Sequence, residues 1–260
     1  MDHLLRATAQ AEARHFWFRG FRTFVGPLLR RAASRAHGDG SVLRLLDCGC
    51  GTGANLTLLN RYGRAYGFDL TEVGLRLGRQ AGRTLLARAT ATAAPFPTDS
   101  FDVVTSFDVL YSLDDVSERA AIAEMYRVLK PGGFAIVNVA AMESLRGDHS
   151  VLSHEIRRYS RIDLREKLEA AGFRVERITY TNVSLYLPML VARTLQRRRG
   201  LKAEQESLQE ITVPPAPING LLTVVLWMEG VYLRFFDAPA GSSLLCLARK
   251  PERPVERGRK

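Results

Sequence analysis

The chain has 260 residues, of which 46% are hydrophobic and 25% charged. That is enough for one α/β domain with elaborations, and it excludes whole-chain disorder, collagen-like repeats and a disulfide scaffold. Lys and Arg outnumber Asp and Glu by 37 to 27, but the surplus is local: residues 1–36, 193–202 and 249–260 together carry +14, leaving the remainder at −4.

Residues 3–36 read as helical, with the aromatic cluster His15-Phe16-Trp17-Phe18 in the middle, an interruption at Gly26-Pro27 and an end at His37–Gly40. Strand and helix signals then alternate. Val42–Asp47 is a strand, Thr52–Arg61 a helix, Ala65–Phe68 a strand, Thr71–Gly82 a helix with a Thr cap, and Leu85–Ala89 a weak strand. Asp102–Ser106 reads as a buried strand and Val116–Leu129 as an amphipathic helix stopped sharply by Lys130-Pro131-Gly132-Gly133. Phe134–Val139 is a strand, Arg161–Ala171 a helix, Phe173–Thr179 a strand, and Ser243–Ala248 the last strand. Such alternation predicts a parallel, doubly wound sheet. Before the last strand, Leu185–Arg199 and Leu221–Phe236 read as two apolar helices joined by a Pro-rich link, because a structureless loop of that length is unusual in a compact domain.

Cys48 and Cys50, one residue apart, cannot make an ordinary disulfide or a zinc pair, so reduced thiols and a cytoplasmic chain are expected, with both residues as small core or loop groups. The N-terminus has no apolar run of signal-peptide type, and no apolar stretch is long enough to span a bilayer.

The chemistry concentrates in Asp47-Cys48-Gly49-Cys50-Gly51-Thr52-Gly53, where a strand runs through three alternate glycines into a helix. Glycines permit positive φ and close approach of the backbone to a ligand, at the edge of the sheet where α/β proteins bind ligands. Read as GxGxxA, the run matches a dinucleotide fingerprint. Asp47, two residues before Gly49, argues against it: a carboxylate there repels a pyrophosphate and suits a ligand bearing an amine.

With these residues in place, the chain resembles the class I S-adenosylmethionine-dependent methyltransferases from Val42 to about Tyr180 and over the last strand. The glycine loop is similar to the family's first motif. Tyr66-Gly67-Phe68-Asp69, with Asp69 16 residues after Gly53, is similar to the second. Pro95–Val104 and Arg127–Gly133 are similar to two more, and order and spacing together carry the likeness. The resemblance implies a Rossmann-like, doubly wound, seven-stranded and mostly parallel sheet, S-adenosylmethionine as cofactor and no metal. It implies cofactor contacts from Asp47, Gly49, Cys50, Gly51, Gly53, Asp69 at the ribose, Leu70, Thr90, Ala91 and Phe107, with Trp17 and Arg19 reaching in from an N-terminal lid. The chain departs from the family at Thr90, where relatives often carry Asp or Asn, and at Ser112, where they often carry His.

Domain bounds follow: an N-terminal helical lid at 1–40, the methyltransferase core at 41–181 plus 242–250, a helical insertion or cap at 182–241, and a basic, disordered tail at 251–260. If the acceptor is a hydroxyl, a base helps its attack. His149, His154 and Tyr159, in the loop after the fifth strand, are the catalytic candidates. The expected acceptor is a small, hydrophobic or lipid-like molecule, methylated on oxygen ahead of carbon or nitrogen, in biosynthesis or secondary metabolism. The two late helices are open to three readings: a cap over an apolar substrate, a homodimer face, or an in-plane membrane contact with an Arg cluster at the headgroups. Two alternative functions stand beside this one: a nucleic-acid methyltransferase, disfavoured because Ser106-Phe107-Asp108-Val109 replaces the motif of amino-methylating enzymes, and a non-catalytic partner- or membrane-binding protein.

Overall fold

The computed structural model describes residues 2–36, 40–200 and 212–252. Seven strands form one sheet: β1 (Arg44–Cys48), β2 (Arg64–Asp69), β3 (Leu86–Arg88), β4 (Phe101–Phe107), β5 (Leu129–Ala140), β6 (Arg174–Thr181) and β7 (Ser243–Arg249). Their order is β3-β2-β1-β4-β5-β7-β6, and all pairings are parallel except those of β7, which is antiparallel to both neighbours. This is the Rossmann-like, mostly parallel sheet expected from the sequence, with β7 wedged between β5 and β6.

The β4 run FDVVTSF is buried at every position because helices cover both sides of the sheet. One core packs α5 (Asp115–Val128) and α7 (Arg161–Ala170) on one face, through Ile122, Met125, Leu164 and Leu168. The other face is covered by α2 (Phe16–Ala36) and the short α3 (Leu56–Leu59), through Phe24, Leu28, Leu29 and Leu59. Asp114 caps α5, accepting from the Val116 and Ser117 amides at 2.9 and 2.8 Å.

Several elements differ from the sequence reading for identifiable reasons. The N-terminal helical segment breaks at Glu12–His15 into α1 (Asp2–Ala11) and α2, not at Gly26-Pro27. α2 runs on through Pro27, since Val25, Leu28 and Leu29 are held in the core and packing outweighs the lost amide. The helix expected over Thr52–Arg61 shrinks to α3, because the chain leaves the glycine loop in tight turns: Gly53 donates to the Cys50 carbonyl at 2.7 Å and Leu56 to that of Gly53 at 3.0 Å. Lys130–Gly133 ends α5 as expected, then detours inside β5: Leu129 pairs with Phe101, and pairing resumes at Phe134 with Val103.

Beyond the core, α4 (Glu72–Gln80) follows β2, α6 (Asp148–Leu152) lies in the loop after β5, and α8 (Tyr186–Arg199) and α9 (Ala216–Tyr232) follow β6. α9 starts five residues earlier than the apolar run because Pro215 caps it and Pro217 occupies its first turn, where proline is already set for the helix. The part of the basic tail from residue 253 onward, Lys202, and the helix end at residues 37–39 lie outside the described residues.

Candidate active site

The carboxyl ends of β1, β2 and β4 open into a cavity of about 770 Å³, within the range of small-molecule sites. The glycine loop forms its floor. Gly49, Gly51 and Gly53 have φ of +74°, +56° and +75°, and a Cβ on Gly49 would stand 2.3 Å from a Val109 methyl, so only glycine fits there. The Gly49 and Cys50 amides both donate to the Phe68 carbonyl at 2.9 Å, fixing the loop to β2.

Asp69, at the end of β2, ties the site together. Its Oδ2 accepts from the Gly51 amide at 2.8 Å, and its Oδ1 accepts from the Thr71 amide at 2.8 Å and the Thr71 hydroxyl at 2.6 Å. A carboxylate held from behind in this way presents its remaining lone pairs to the cavity it lines. Leu70, Thr90 and Ala91 line the same wall, and Gly49, Cys50 and Gly51 the floor.

Asp47 is 1% exposed and lies under the loop, outside the cavity lining. Its Oδ1 accepts from the Thr105 hydroxyl at 2.7 Å, while its buried Oδ2 has no hydrogen-bond partner. Burial pushes this carboxyl up to about 7, with the Thr105 bond opposing the shift and the charge of Asp69 adding to it. Gly53 also stands outside the lining. Cys48 and Cys50 are buried and burial raises both thiols, so neither is poised as a nucleophile.

The N-terminal helices roof the cavity with Leu5, Thr8, Glu12, Trp17, Phe18 and Phe21. Glu12 fastens the roof to the floor: it accepts from the Thr52 hydroxyl at 2.6 Å and pairs with Arg83 at 3.2 Å. Trp17 lines the cavity and Arg19 does not; Arg22, one turn further along α2, does. Arg22 also donates to the Glu12 carbonyl at 3.0 Å, and burial lowers its pKa. Phe107 meets Phe21 edge-on at 5.0 Å, joining roof to sheet.

The three catalytic candidates scatter. Tyr159 is 1% exposed in the core, where its hydroxyl donates to Glu118 at 2.6 Å; Glu118 also accepts from Arg157 and Lys167, so this is a structural node away from the cavity. His154 is exposed, in a left-handed conformation at φ +52°, and outside the cavity lining. His149 sits in α6, and its side chain lies outside the described residues.

Sequence reasoning passed over Asp108, the residue after β4. It faces the cavity from a left-handed turn at φ +60°, and its Oδ1 accepts from the Asn138 amide group at 2.9 Å. Desolvation by the surrounding residues pushes its carboxyl up to about 7, opposed by the Asn138 hydrogen bond, although the residue keeps an exposed surface in the cavity. Beside it, Tyr111, Ser112 and Ser153 complete a polar corner under a roof whose apolar part is Leu5, Trp17, Phe18 and Phe21. The signal was present in Ser106-Phe107-Asp108, since a polar residue ending an apolar strand at the ligand edge of the sheet is a site candidate.

Comparison with known proteins agrees with this geometry. A family model described as a methyltransferase domain matches residues 46–137. A ubiquinone/menaquinone biosynthesis C-methyltransferase of Marinomonas sp. is 33% identical over 129 residues, covering 45% of this chain and 48% of its own length. A demethylmenaquinone methyltransferase of Clavibacter sepedonicus is 38% identical over 116 residues, covering 42% and 46%. The chain spans about half the length of these curated relatives. A Thermotoga maritima methyltransferase, described as a possible histamine N-methyltransferase, superposes with a TM-score of 0.56 at 18% identity, over 96% of this chain and all of its own. The [4+2]-cyclase SpnF superposes at 0.54 and 23% identity, over 88% and 81%. Residues 46–137 match a methyltransferase domain and the fold is shared with solved structures described as methyltransferases; such a domain implies S-adenosylmethionine as methyl donor. The cyclase on the same fold shows that architecture alone does not choose the reaction.

Proposed function

We propose that the chain transfers a methyl group from S-adenosylmethionine to a small, apolar acceptor bearing an acidic hydroxyl, with oxygen as the first choice of methylated atom. One observation carries the reading: a single cavity joins the glycine loop and Asp69 to an apolar roof, with the Asp108 carboxyl between them.

The residues present fit the cofactor. The glycine floor leaves no room for side chains where a ligand would lie, Asp69 offers acceptors to a pair of ribose hydroxyls, and Thr90 and Ala91 offer a hydroxyl and an amide to an adenine edge. Arg22 is the cation placed for a carboxylate. When bound, the cofactor supplies an electrophilic methyl group on a sulfonium. The roof, latched by Glu12, excludes water from that charge and holds the acceptor in line. Asp108, ionised above about pH 7, takes the hydroxyl proton, and Asn138 keeps its carboxylate aimed.

Removing a phenolic proton raises electron density on the oxygen and on the adjacent ring carbon. The names of the curated relatives favour carbon as the second reading. Calorimetric titration with S-adenosylmethionine and S-adenosylhomocysteine tests the first step: binding that Asp69→Ala abolishes is expected, and no binding of either ligand would remove the reading. Turnover with methyl-labelled cofactor and a panel of hydroxylated aromatic acceptors then separates O- from C-methyl products.

A further inference from the structure

We propose that α8 and α9 form a docking surface for an anionic lipid bilayer, lying in its interface beside the cavity. Among the described residues no helix is long and apolar enough to cross a membrane, so the contact is peripheral. α8 buries none of its residues, and Leu187, Val191 and Leu195 stand 58–69% exposed at spacings of four, a single row along the helix. Three residues beyond Leu195, and eleven from Leu187, Arg198 returns to the same helix face, flanked by Arg197 and Arg199, all exposed at the helix end.

α9 carries a second exposed apolar surface. Leu221, Val224, Trp227 and Met228 are each more than half exposed, and Phe235 just beyond the helix reaches 75%. An apolar groove of about 460 Å³, lined by Val183, Val225, Met228, Tyr232 and Pro239, lies between α9 and the segment just before α8. So large an apolar area is rare on a surface without a partner. Hydrocarbon-seeking side chains ending in a run of arginines have the chemistry of an interfacial helix on acidic headgroups. Arg199 also pairs with the buried Asp148, and Arg197 donates to the Ser144 carbonyl at 2.6 Å and the Arg146 carbonyl at 2.9 Å. These bonds anchor the basic end to the body of the protein while Arg198 stays exposed on the face that carries Leu187.

The surface is coupled to the cavity. α9 packs on α2 so closely that a Cβ on Gly20 would stand 2.4 Å from Leu226, and Asn219 of α9 accepts from the Phe16 amide at 2.8 Å, capping the helix that carries Trp17 and Phe21. A bilayer bound here lies behind α2, the helix that supplies Trp17 and Phe21 to the cavity roof. The surface itself stands independently of the methyl transfer, and its test needs no cofactor.

The full chain is sedimented with sucrose-loaded vesicles of phosphatidylcholine alone and with about 30 mol% phosphatidylglycerol, near 0.15 M salt. Binding to the mixed vesicles at least about tenfold tighter than to the neutral ones is expected, with Leu187→Ser/Val191→Ser/Leu195→Ser about tenfold weaker and Arg198→Glu several-fold weaker. As a readout free of the folding of multiple variants, Trp17→Phe leaves Trp227 as the one tryptophan, whose emission is expected to shift to the blue on mixed vesicles. No sedimentation, equal binding by the serine variant, or an unshifted Trp227 would overturn the proposal. So would light scattering that shows a dimer which the serine variant dissociates, since a second copy would then own the surface.

Discussion

At the centre of the sheet, β4 buries all of Phe101–Phe107 and β5 all of Phe134–Ala140, whereas α8 buries nothing and α9 only Asn219, Leu226, Glu229 and Gly230. Both regions are written in apolar residues. The strands lie between two helical layers, so their side chains meet partners on both faces, while the late helices touch the body along one edge and leave the rest to solvent. Apolar content therefore reports what a segment avoids, and the neighbouring element decides whether the chain itself satisfies it. The core builds the cavity floor, and α9 supports the helix that roofs it.

The sharpest way to break this contrast is at the floor. Asp69→Ala removes a carboxylate that holds the Gly51 amide and Thr71 and faces the cavity, and is expected to weaken S-adenosylmethionine binding by about 10³-fold, measured by calorimetry. Next is a pair of neighbours on α9. Leu226, fully buried against Gly20, should cost about 3 kcal/mol of unfolding free energy when changed to Ala. Trp227, one residue on and 54% exposed, is the contrasting member of the pair.

Asp108→Asn should lower kcat by about 10²-fold while leaving cofactor affinity within about twofold. In the wild type, turnover should rise with pH through about 7 as this carboxyl ionises, and the variant should lose that limb. Asp47 gives a smaller effect on stability. Its folded pKa of about 7 lies above the ordinary carboxylate value, so the folded state holds the proton more tightly than the unfolded one. Its contribution is therefore full below about pH 4 and is lost as pH rises through 7. Asp47→Asn should flatten that decline, read as a smaller loss of unfolding free energy between about pH 5 and 8 in urea titrations. Smallest of all, Trp227→Ala should change stability in the absence of lipid by less than about 0.5 kcal/mol.

The positions of the glycine loop and of Asp69 were legible because local patterns encode them: alternate glycines after an apolar strand, then an acid at the end of the next strand. Local pattern failed where long-range contacts decide. Tyr159 stands in a polar run that resembles a catalytic loop, yet Glu118, 41 residues earlier, draws its hydroxyl into the core. Arg19 and Arg22 are equivalent in sequence, and only the angle of α2 over the sheet brings Arg22 to the cavity. Asp108 gains its setting from Asn138 on the adjacent strand, a partner 30 residues away.

By itself the sequence determined the alternation of strands and helices, the cofactor loop and the apolar character of the late helices, since each rests on residue spacing within one element. Only the tertiary structure decided which side chains share the cavity, that Pro27 is tolerated inside α2, that β7 runs antiparallel between β5 and β6, and that the rows of α8 and α9 face outward. Those outcomes depend on contacts between segments far apart in the chain, where packing and burial outweigh local propensity.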